Sequence, residues 1–237
     1  MRKTLASGLL ALFFPLCVTS AVGGAGEDGP FGLAEFVAPE REAWNDYRKV
    51  KADMQAELPK LDFCKKHPAD CTVGEAELES ILAEAEGQQG RAKIEVVNKK
   101  VNAAIHYTSD KEQWGVDDVW SAPVDIHGKG SFDTGKGDCE DYALAKYLVF
   151  RFLGVNPADM IMVIVHDNFV HEDHAVLVVH EDGRWLILDN RWDTLYEDKE
   201  LMPRFRPLLA VNTEGVDLMV KSFTLGGSHQ VRPSSGR

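Results

Sequence analysis

The chain has 237 residues, enough for one domain with a well-buried core. Its formal net charge at pH 7 is −12, and no stripe of basic residues stands out along the sequence. A protein that binds nucleic acid through the phosphate backbone needs such a basic surface, so we expect no nucleic-acid partner.

Residues 1–25 have the pattern of an export signal. Arg2 and Lys3 precede an apolar run from Leu5 to Val18, and small residues follow the run. The run is shorter than the roughly 20 residues that a membrane-spanning helix needs. We therefore expect this segment to be a removed signal peptide and the mature protein to be periplasmic or secreted.

Export changes the chemistry expected of the cysteines. Cys17 lies in the signal, while Cys64 and Cys71 flank a short polar segment, predicted to be a loop, that contains a proline. In an oxidising compartment we expect these two to form a disulfide, and a metal site that includes His67 is the alternative. Cys139 then has no partner. Because an unpaired thiol is a hazard in such a compartment, this favours a chemical use for Cys139.

Residues 26–38 are rich in glycine and predict a lead-in without regular structure. Apolar residues at helical spacing then predict three helices, at residues 39–58, 76–85 and 93–106. Asn98 and Asn102 share one face of the third helix. Two interpretations are open for these amides, a hydrogen bond to a neighbouring loop or a contact with substrate.

A long loop, residues 107–134, follows these helices and is rich in Trp, Asp, Gly and Pro. A loop of this length inside a compact domain is usually functional, for example as the rim of a cleft. Trp114 and Trp120 are candidates for lining a peptide groove. A local hydrophobic plug is the alternative for both.

The next segment predicts a buried helix that begins with a cysteine. Asp138 is a suitable N-cap, the apolar residues after it recur around most of the helix, and Gly154 is a suitable stop. Cys139 falls in the first turn, where unpaired backbone N–H groups and the helix dipole favour the thiolate. Cys139 is therefore the candidate nucleophile.

A cysteine nucleophile needs a base, and the base needs an orienting group. His174 begins an apolar strand, Asp189 ends the next one, and residues 180–183 between them contain the Asp-Gly signal of a tight hairpin turn. In an antiparallel pair the start of one strand lies beside the end of the next. The pattern thus predicts that His174 and Asp189 are neighbours and form a triad with Cys139.

Several segments resemble the bacterial transglutaminase-like cysteine peptidases: GDCEDYA at 137–143, Lys146-Tyr147, His174-Ala-Val and Leu188-Asp-Asn190. The resemblance extends from about Arg91 to Glu214. It implies an α+β domain of papain/transglutaminase-like architecture, with a nucleophile helix packed on an antiparallel sheet and helices before it. It also implies Cys139 as nucleophile, His174 as base and Asp189 as the orienting carboxylate.

The same resemblance implies hydrolysis of a peptide bond through a thioester. The backbone N–H of Cys139 would be one oxyanion donor, and the indole N–H of Trp120 is a candidate for the second. The family includes periplasmic proteases that release biofilm adhesins, which implies a cell-surface protein as substrate and a membrane-bound regulator. Two alternatives are acyl transfer to an amine by the same triad, as in a transglutaminase or amidase, and a binding module that has lost its activity.

Three carboxylates, those of Asp138, Glu140 and Asp141, surround the candidate nucleophile. Their repulsion opposes formation of the thiolate. Helix capping explains Asp138 and Asp141 but not Glu140. A calcium ion would offset two of these three negative charges and leave the sulfur free, because calcium prefers oxygen ligands. The adhesin-releasing proteases that this sequence resembles are calcium-dependent through acids in this segment. The resemblance therefore implies a Ca²⁺ cofactor, with capping alone as the alternative.

A zinc site is a weaker alternative. The segment His171-Glu-Asp-His174 is one residue shorter than the H-E-x-x-H pattern and falls in a predicted loop rather than a helix.

Residues 160–165 predict a core strand, and residues 216–223 predict a last strand or helix. The predicted division of the chain is a signal peptide at 1–25, a lead-in and helices at 26–90, the peptidase domain at 91–223 and a disordered tail at 224–237.

Overall fold

A computed structural model describes residues 29–37, 42–125, 127–211 and 216–221. The expected signal peptide at 1–25 and the expected tail at 224–237 lie outside these residues. Among the residues described, no helix is both long enough and apolar enough to cross a membrane.

The described residues contain one large antiparallel sheet and one short parallel pair of strands. In chain order the strands are β1 (Leu33–Val37), β2 (His106–Tyr107), β3 (Lys136–Gly137), β4 (Met160–Asp167), β5 (Glu172–Glu181), β6 (Arg184–Leu188), β7 (Tyr196–Glu197), β8 (Phe205–Val211) and β9 (Val216–Lys221). The large sheet has the order β1-β9-β8-β4-β5-β6-β7, and β2 pairs with β3.

The described residues also contain seven α-helices. They are α1 (Glu42–Lys66), α2 (Val73–Glu86), α3 (Gly90–Ala104), α4 (Asp110–Gln113), α5 (Ser131–Thr134), α6 (Cys139–Phe152) and α7 (Asp198–Leu201). Helix α6 packs on β5 and β4, and α2 and α3 pack on α6. One hydrophobic core includes Tyr47 of α1, Leu78 of α2, Phe150 of α6 and Leu177 of β5. The architecture is the expected α+β arrangement of a helix on an antiparallel sheet.

The start and end of α6 confirm the sequence prediction. Asp138 lies at the N-cap, and the carboxylate of Asp141 accepts a hydrogen bond of 3.3 Å from the Asp138 backbone N–H. The helix ends at Phe152, and Gly154 follows in the left-handed region with φ of 77°. Most of the residues between are buried, so the helix forms the centre of the core.

Helix α1 extends past its predicted end at residue 58 and continues through Pro59 to Lys66. A proline inside a helix costs about 3 kcal/mol. The extra turns bury Leu61 and Cys64, which offsets that cost. Cys64 therefore lies in a helix and not in a polar loop, and it forms a disulfide with Cys71 across a Cα–Cα distance of 4.9 Å.

Part of the predicted lead-in is also ordered, since Leu33–Val37 forms β1 at the edge of the sheet. This strand pairs with β9 in a register that runs from Leu33 opposite Lys221 to Val37 opposite Asp217. The partner strand lies at the other end of the chain, so no local pattern could have revealed the pairing. The segment expected to be a strand or a helix near the C-terminus is the strand β9.

A two-residue turn joins β5 to β6. Asp182 and Gly183 both have positive φ, 49° and 74°, as a type I′ hairpin turn requires. The register then places Leu177 opposite Leu188. As a result, the first residues of β5 lie beside the residues that follow β6, as the sequence predicted.

Candidate active site

Cys139 is the first residue of α6 and is partly exposed. Its sulfur accepts a hydrogen bond from the backbone N–H of Ala175, the residue after His174, and lies 3.3 Å from Oε2 of Glu140. Burial and the Glu140 charge raise the pKa of the thiol, the Ala175 hydrogen bond lowers it, and Asp138 raises it further. The net effect is a raised pKa, so this carboxylate environment favours the thiol.

His174 and Asp189 are in direct contact in the interior. The imidazole Nε2 lies 3.1 Å from Oδ1 of Asp189, and both residues are buried. An ionised carboxylate only accepts hydrogen bonds, so Nε2 must carry the proton of a neutral imidazole. The other ring nitrogen, Nδ1, is then the acceptor that can take a proton from a thiol. The structure thus brings the predicted base and the predicted orienting carboxylate into contact, and the residue after the base contacts the sulfur of Cys139.

Arg191 binds the carboxylate of Asp189. Its Nη2 donates to Oδ2 at 2.8 Å, and its backbone N–H donates to Oδ1 at 2.9 Å. Burial alone would raise the pKa of Asp189, but hydrogen bonds from His174 and Arg191 outweigh it and lower that pKa. Arg191 was not predicted from the sequence, where its one signal is its position two residues after Asp189.

The same guanidinium extends the network to a second buried acid. Arg191 donates through Nη1 to Oδ2 of Asp167 at 2.9 Å, and Arg204 donates to the same oxygen at 2.8 Å. Asp167 is the last residue of β4, so this pair of ion contacts ties the turn after β6 to the end of a central strand.

Two asparagines of α3 hold the turn that follows Asp189. Asn98 donates to the carbonyls of Trp192 and Asp193, at 2.9 and 3.1 Å. Asn102 donates to the carbonyls of Asp189 and Trp192, at 3.1 and 3.2 Å. These contacts decide between the two interpretations left open by the sequence, in favour of hydrogen bonds to a neighbouring loop.

Carboxylates converge beside the start of α6. Asp110, Asp138 and Asp141 have oxygens within 4.8 Å of one another, and so do Asp110, Asp118 and Glu140. The three acids predicted as metal ligands all belong to this acidic cluster. The contribution of Asp110, the first residue of α4, and of Asp118, which follows α4, was not predicted from the sequence.

The acidic cluster has the properties of a site for a hard cation. Burial and the charge of Asp138 raise the pKa of Asp110 to about 6 and that of Asp141 to about 8, and they also raise the pKa of Glu140. Oδ1 of Asp110 and Oδ1 of Asp138 are buried and find no hydrogen-bond partner among the described residues. Buried acceptors among crowded carboxylates fit calcium, which takes oxygen ligands.

Histidines take no part in these groups. Within the described ranges, the side-chain groups close enough to share a metal ion include neither His171 nor His174. The zinc alternative therefore finds no support in the geometry.

Trp114 and Trp120 line one cavity of about 400 Å³ between α1 and the long loop. Asp53 and Glu57 of α1 form part of the opposite wall. The indole N–H of Trp120 donates to Asp118 at 3.1 Å, so in this geometry it is not available as the second oxyanion donor. Both tryptophans remain candidates for contact with substrate.

A cysteine at the start of a buried helix, with a buried histidine–aspartate pair on the antiparallel sheet that the helix packs against, defines a cysteine enzyme of papain/transglutaminase-like architecture. The sequence family described as bacterial transglutaminase-like cysteine proteinase (BTLCP) matches residues 52–201. The chain belongs to this family. A search among curated proteins found no match.

Solved structures of LapG from Legionella pneumophila share the fold. One structure superposes with a TM-score of 0.52 at 21% identity, covering 72% of this chain and 86% of that one. Calcium-bound LapG gives a TM-score of 0.53 at the same identity and coverage. EGTA-treated LapG gives 0.52 at 21% identity, covering 76% of this chain and 91% of that one.

Proposed function

We propose that this protein hydrolyses a peptide bond of a protein substrate through a triad of Cys139, His174 and Asp189. The observation that carries the proposal is the placement of the thiol. Its sulfur is hydrogen-bonded to the backbone of Ala175, beside a histidine whose far nitrogen contacts a buried carboxylate. This is the arrangement that nucleophilic catalysis by cysteine requires.

The reaction follows from the roles of these three side chains. His174 takes the thiol proton at Nδ1 as the Cys139 sulfur attacks the substrate carbonyl. The imidazolium then gives that proton to the leaving amine, and a thioester remains. Water attacks the thioester while His174 takes the water proton, the acid product leaves, and the proton returns to the sulfur. Asp189 holds the imidazole tautomer throughout.

The tetrahedral intermediate also needs hydrogen-bond donors. Cys139 is the first residue of α6, and N–H groups in the first turn of a helix have no partner within the helix. The backbone N–H of Cys139 is therefore proposed as one oxyanion donor.

We also propose that the acidic cluster holds a calcium ion. The candidate oxygens come from two groups that share Asp110: Asp138 and Asp141 complete one, and Asp118 and Glu140 complete the other. The two positive charges of calcium would reduce the negative charge beside the nucleophile and so make the thiolate more accessible. The calcium-bound structure of LapG, a protein of the same fold, supports this assignment.

For the compartment we propose the periplasm or the exterior. The export pattern of residues 1–25 supports it, and so does the Cys64–Cys71 disulfide, because disulfides persist in oxidising compartments. The resemblance to adhesin-releasing proteases supports a cell-surface protein as substrate and a membrane-bound regulator.

Comparison of cells that produce the wild-type protein with cells that produce Cys139→Ala tests this proposal. Proteins shed or shortened only in the first culture are the candidate substrates, and each is then cleaved with purified enzyme. Products that incorporate an added primary amine would indicate acyl transfer instead of hydrolysis. No difference between the cultures, combined with slow alkylation of Cys139 at neutral pH, would indicate a binding module.

A further inference from the structure

Lys146 is a buried cation that the reaction steps above do not use. It lies on α6 seven residues after Cys139, which is two helical turns along the same side of the helix. The side chain is fully buried, at 0% exposure. Its Nζ lies 5.9 Å from the centre of the Tyr142 ring and donates to the carbonyl of Leu188 at 3.4 Å.

The hydrogen bond from Lys146 Nζ to the Leu188 carbonyl is too long to stabilise the fold strongly. A buried ammonium group costs free energy unless it is well paired. In the described part of the chain, no carboxylate lies within ion-pair distance of Nζ. Burial lowers the pKa of Lys146 to about 7, even though the charges of Asp189 and Asp193 raise it. Burial of this amine therefore destabilises the fold, and a role other than stability has to account for its position.

The acceptor of Lys146 lies one residue before the proposed catalytic acid. The carbonyl of Leu188 accepts from Lys146, and the next carbonyl, that of Asp189, accepts from Asn102. Donors from two helices thus bind the two successive peptide groups that carry the Asp189 side chain. One of those helices, α6, also begins with the nucleophile.

We propose that Lys146 is a positioning residue that links the nucleophile helix to the backbone of Asp189 and so fixes the spacing of Cys139, His174 and Asp189. The inference rests on the proposed function, because this spacing matters for catalysis only if the three residues form the proposed triad. The hydrogen bond to Leu188 sets where β6 ends relative to α6.

The test compares Lys146→Met with a control from the next residue. Methionine fills a similar volume without the amine, so the core stays packed. Tyr147→Phe removes one hydroxyl from the same helix, but this hydroxyl contacts Tyr47 of α1. Kinetics are measured on a substrate from the shedding comparison, thermal unfolding reports stability, and proton NMR reports the His174 imidazole N–H that contacts Asp189.

For Lys146→Met we expect kcat to fall about tenfold or more, because small misplacements of catalytic groups are costly, while KM stays within about twofold. We expect an unchanged or higher Tm, and an imidazole proton signal that is shifted or broadened. Tyr147→Phe should leave kcat and the signal unchanged. This combination separates positioning from a structural role, which would lower Tm and activity together.

A kcat within about twofold of wild type, or an unchanged imidazole signal, overturns the inference. If Lys146→Met does not fold, Lys146→Gln, which keeps a donor but not the charge, is judged by the same criteria. Failure of both variants to fold also overturns it, since Lys146 is then structural. If the wild type cleaves nothing, the NMR comparison still decides the positioning role, so this failure differs from failure of the proposed function.

Discussion

Arg191 binds the carboxylate of Asp189 through its backbone N–H, its Nε and its Nη2. Neighbouring aromatic rings fix the guanidinium, which lies 4.9 Å from the ring centre of Trp192 and 5.5 Å from that of Phe205. The orientation of Asp189 toward His174 therefore depends on a residue outside the proposed triad.

We expect Arg191→Met to lower both activity and stability. The change removes the Arg191 guanidinium from the buried carboxylates of Asp189 and Asp167. This loss should lower the free energy of unfolding by about 3 kcal/mol. Urea unfolding and single-turnover kinetics measure the two effects. The control is Arg184→Met, because Arg184 is 62% exposed in its ion pair with Glu197 and should cost less than about 1 kcal/mol. Equal costs for the two variants would contradict the role of Arg191.

Asp167 should make the protein sensitive to acid. Burial alone would raise the pKa of Asp167, but hydrogen bonds from the Phe169 N–H, Arg204 and Arg191 lower it from 3.8 to about 2. Because the folded pKa lies below the unfolded one, this stabilisation is complete above pH 4 or so and is lost as the pH falls toward 2. Urea unfolding at pH 6, 4, 3 and 2.5 should show the stability of wild type approaching that of Asp167→Asn. A constant difference across this range would exclude the effect.

Removal of any triad member should abolish most activity without unfolding the protein. We expect Cys139→Ala, His174→Ala and Asp189→Asn each to lower kcat by about a thousandfold or more, and the Cys139→Ala/His174→Ala double variant to be no worse than either single one, because the residues act as a unit. Circular dichroism checks the fold. Near wild-type cleavage by Cys139→Ala would refute the nucleophile assignment.

Calcium should control activity through the acidic cluster. We expect a chelator to slow cleavage, and Ca²⁺ but not Mg²⁺ to restore it, because the smaller ion requires stricter octahedral geometry. Asp110→Asn should weaken calcium binding, measured by titration calorimetry, since Asp110 belongs to both groups of acids. Asp117→Asn is the matched control, because the 91% exposed Asp117 pairs with Lys111 in the same loop. Full activity in excess chelator, with no metal in the purified protein, would end the calcium proposal.

The disulfide should stabilise the packing of α1. Cys71→Ser opens the short Cys64–Cys71 loop and should lower the free energy of unfolding by about 2–3 kcal/mol on the chain-entropy estimate. Activity should be retained, because the bond lies outside the active site. Alkylation of the unreduced mature protein followed by mass spectrometry should label Cys139 alone. Labelling of Cys64 and Cys71 as well would show that the pair is reduced.

The parts of the fold that the sequence predicted are those with local causes. Helix α6 follows from an N-cap, apolar residues at helical spacing and a terminating glycine. The hairpin follows from Asp182-Gly183, whose positive φ values only a few residue types adopt readily. The proximity of His174 and Asp189 is then a consequence of antiparallel register.

The parts that it did not predict depend on long-range contacts. Asp110 reaches the acidic cluster because Thr108 donates to the carbonyl of Gly137 and the Asp110 N–H donates to Asp138. Nothing in the loop sequence indicates that pairing. The role of Arg191 could not be predicted either, since it depends on a contact with Asp167 at the end of β4.

The tight turn between β5 and β6 also has a consequence for the order of folding. His174 and Asp189 are 15 residues apart and lie on one hairpin, so little loop-closure entropy opposes their meeting. Cys139 reaches them only when α6 docks against the sheet, a less local event that forms more slowly. A chain in the middle of folding therefore holds an imidazole–carboxylate pair without the proposed nucleophile, and the proposed triad is complete only with the final tertiary packing.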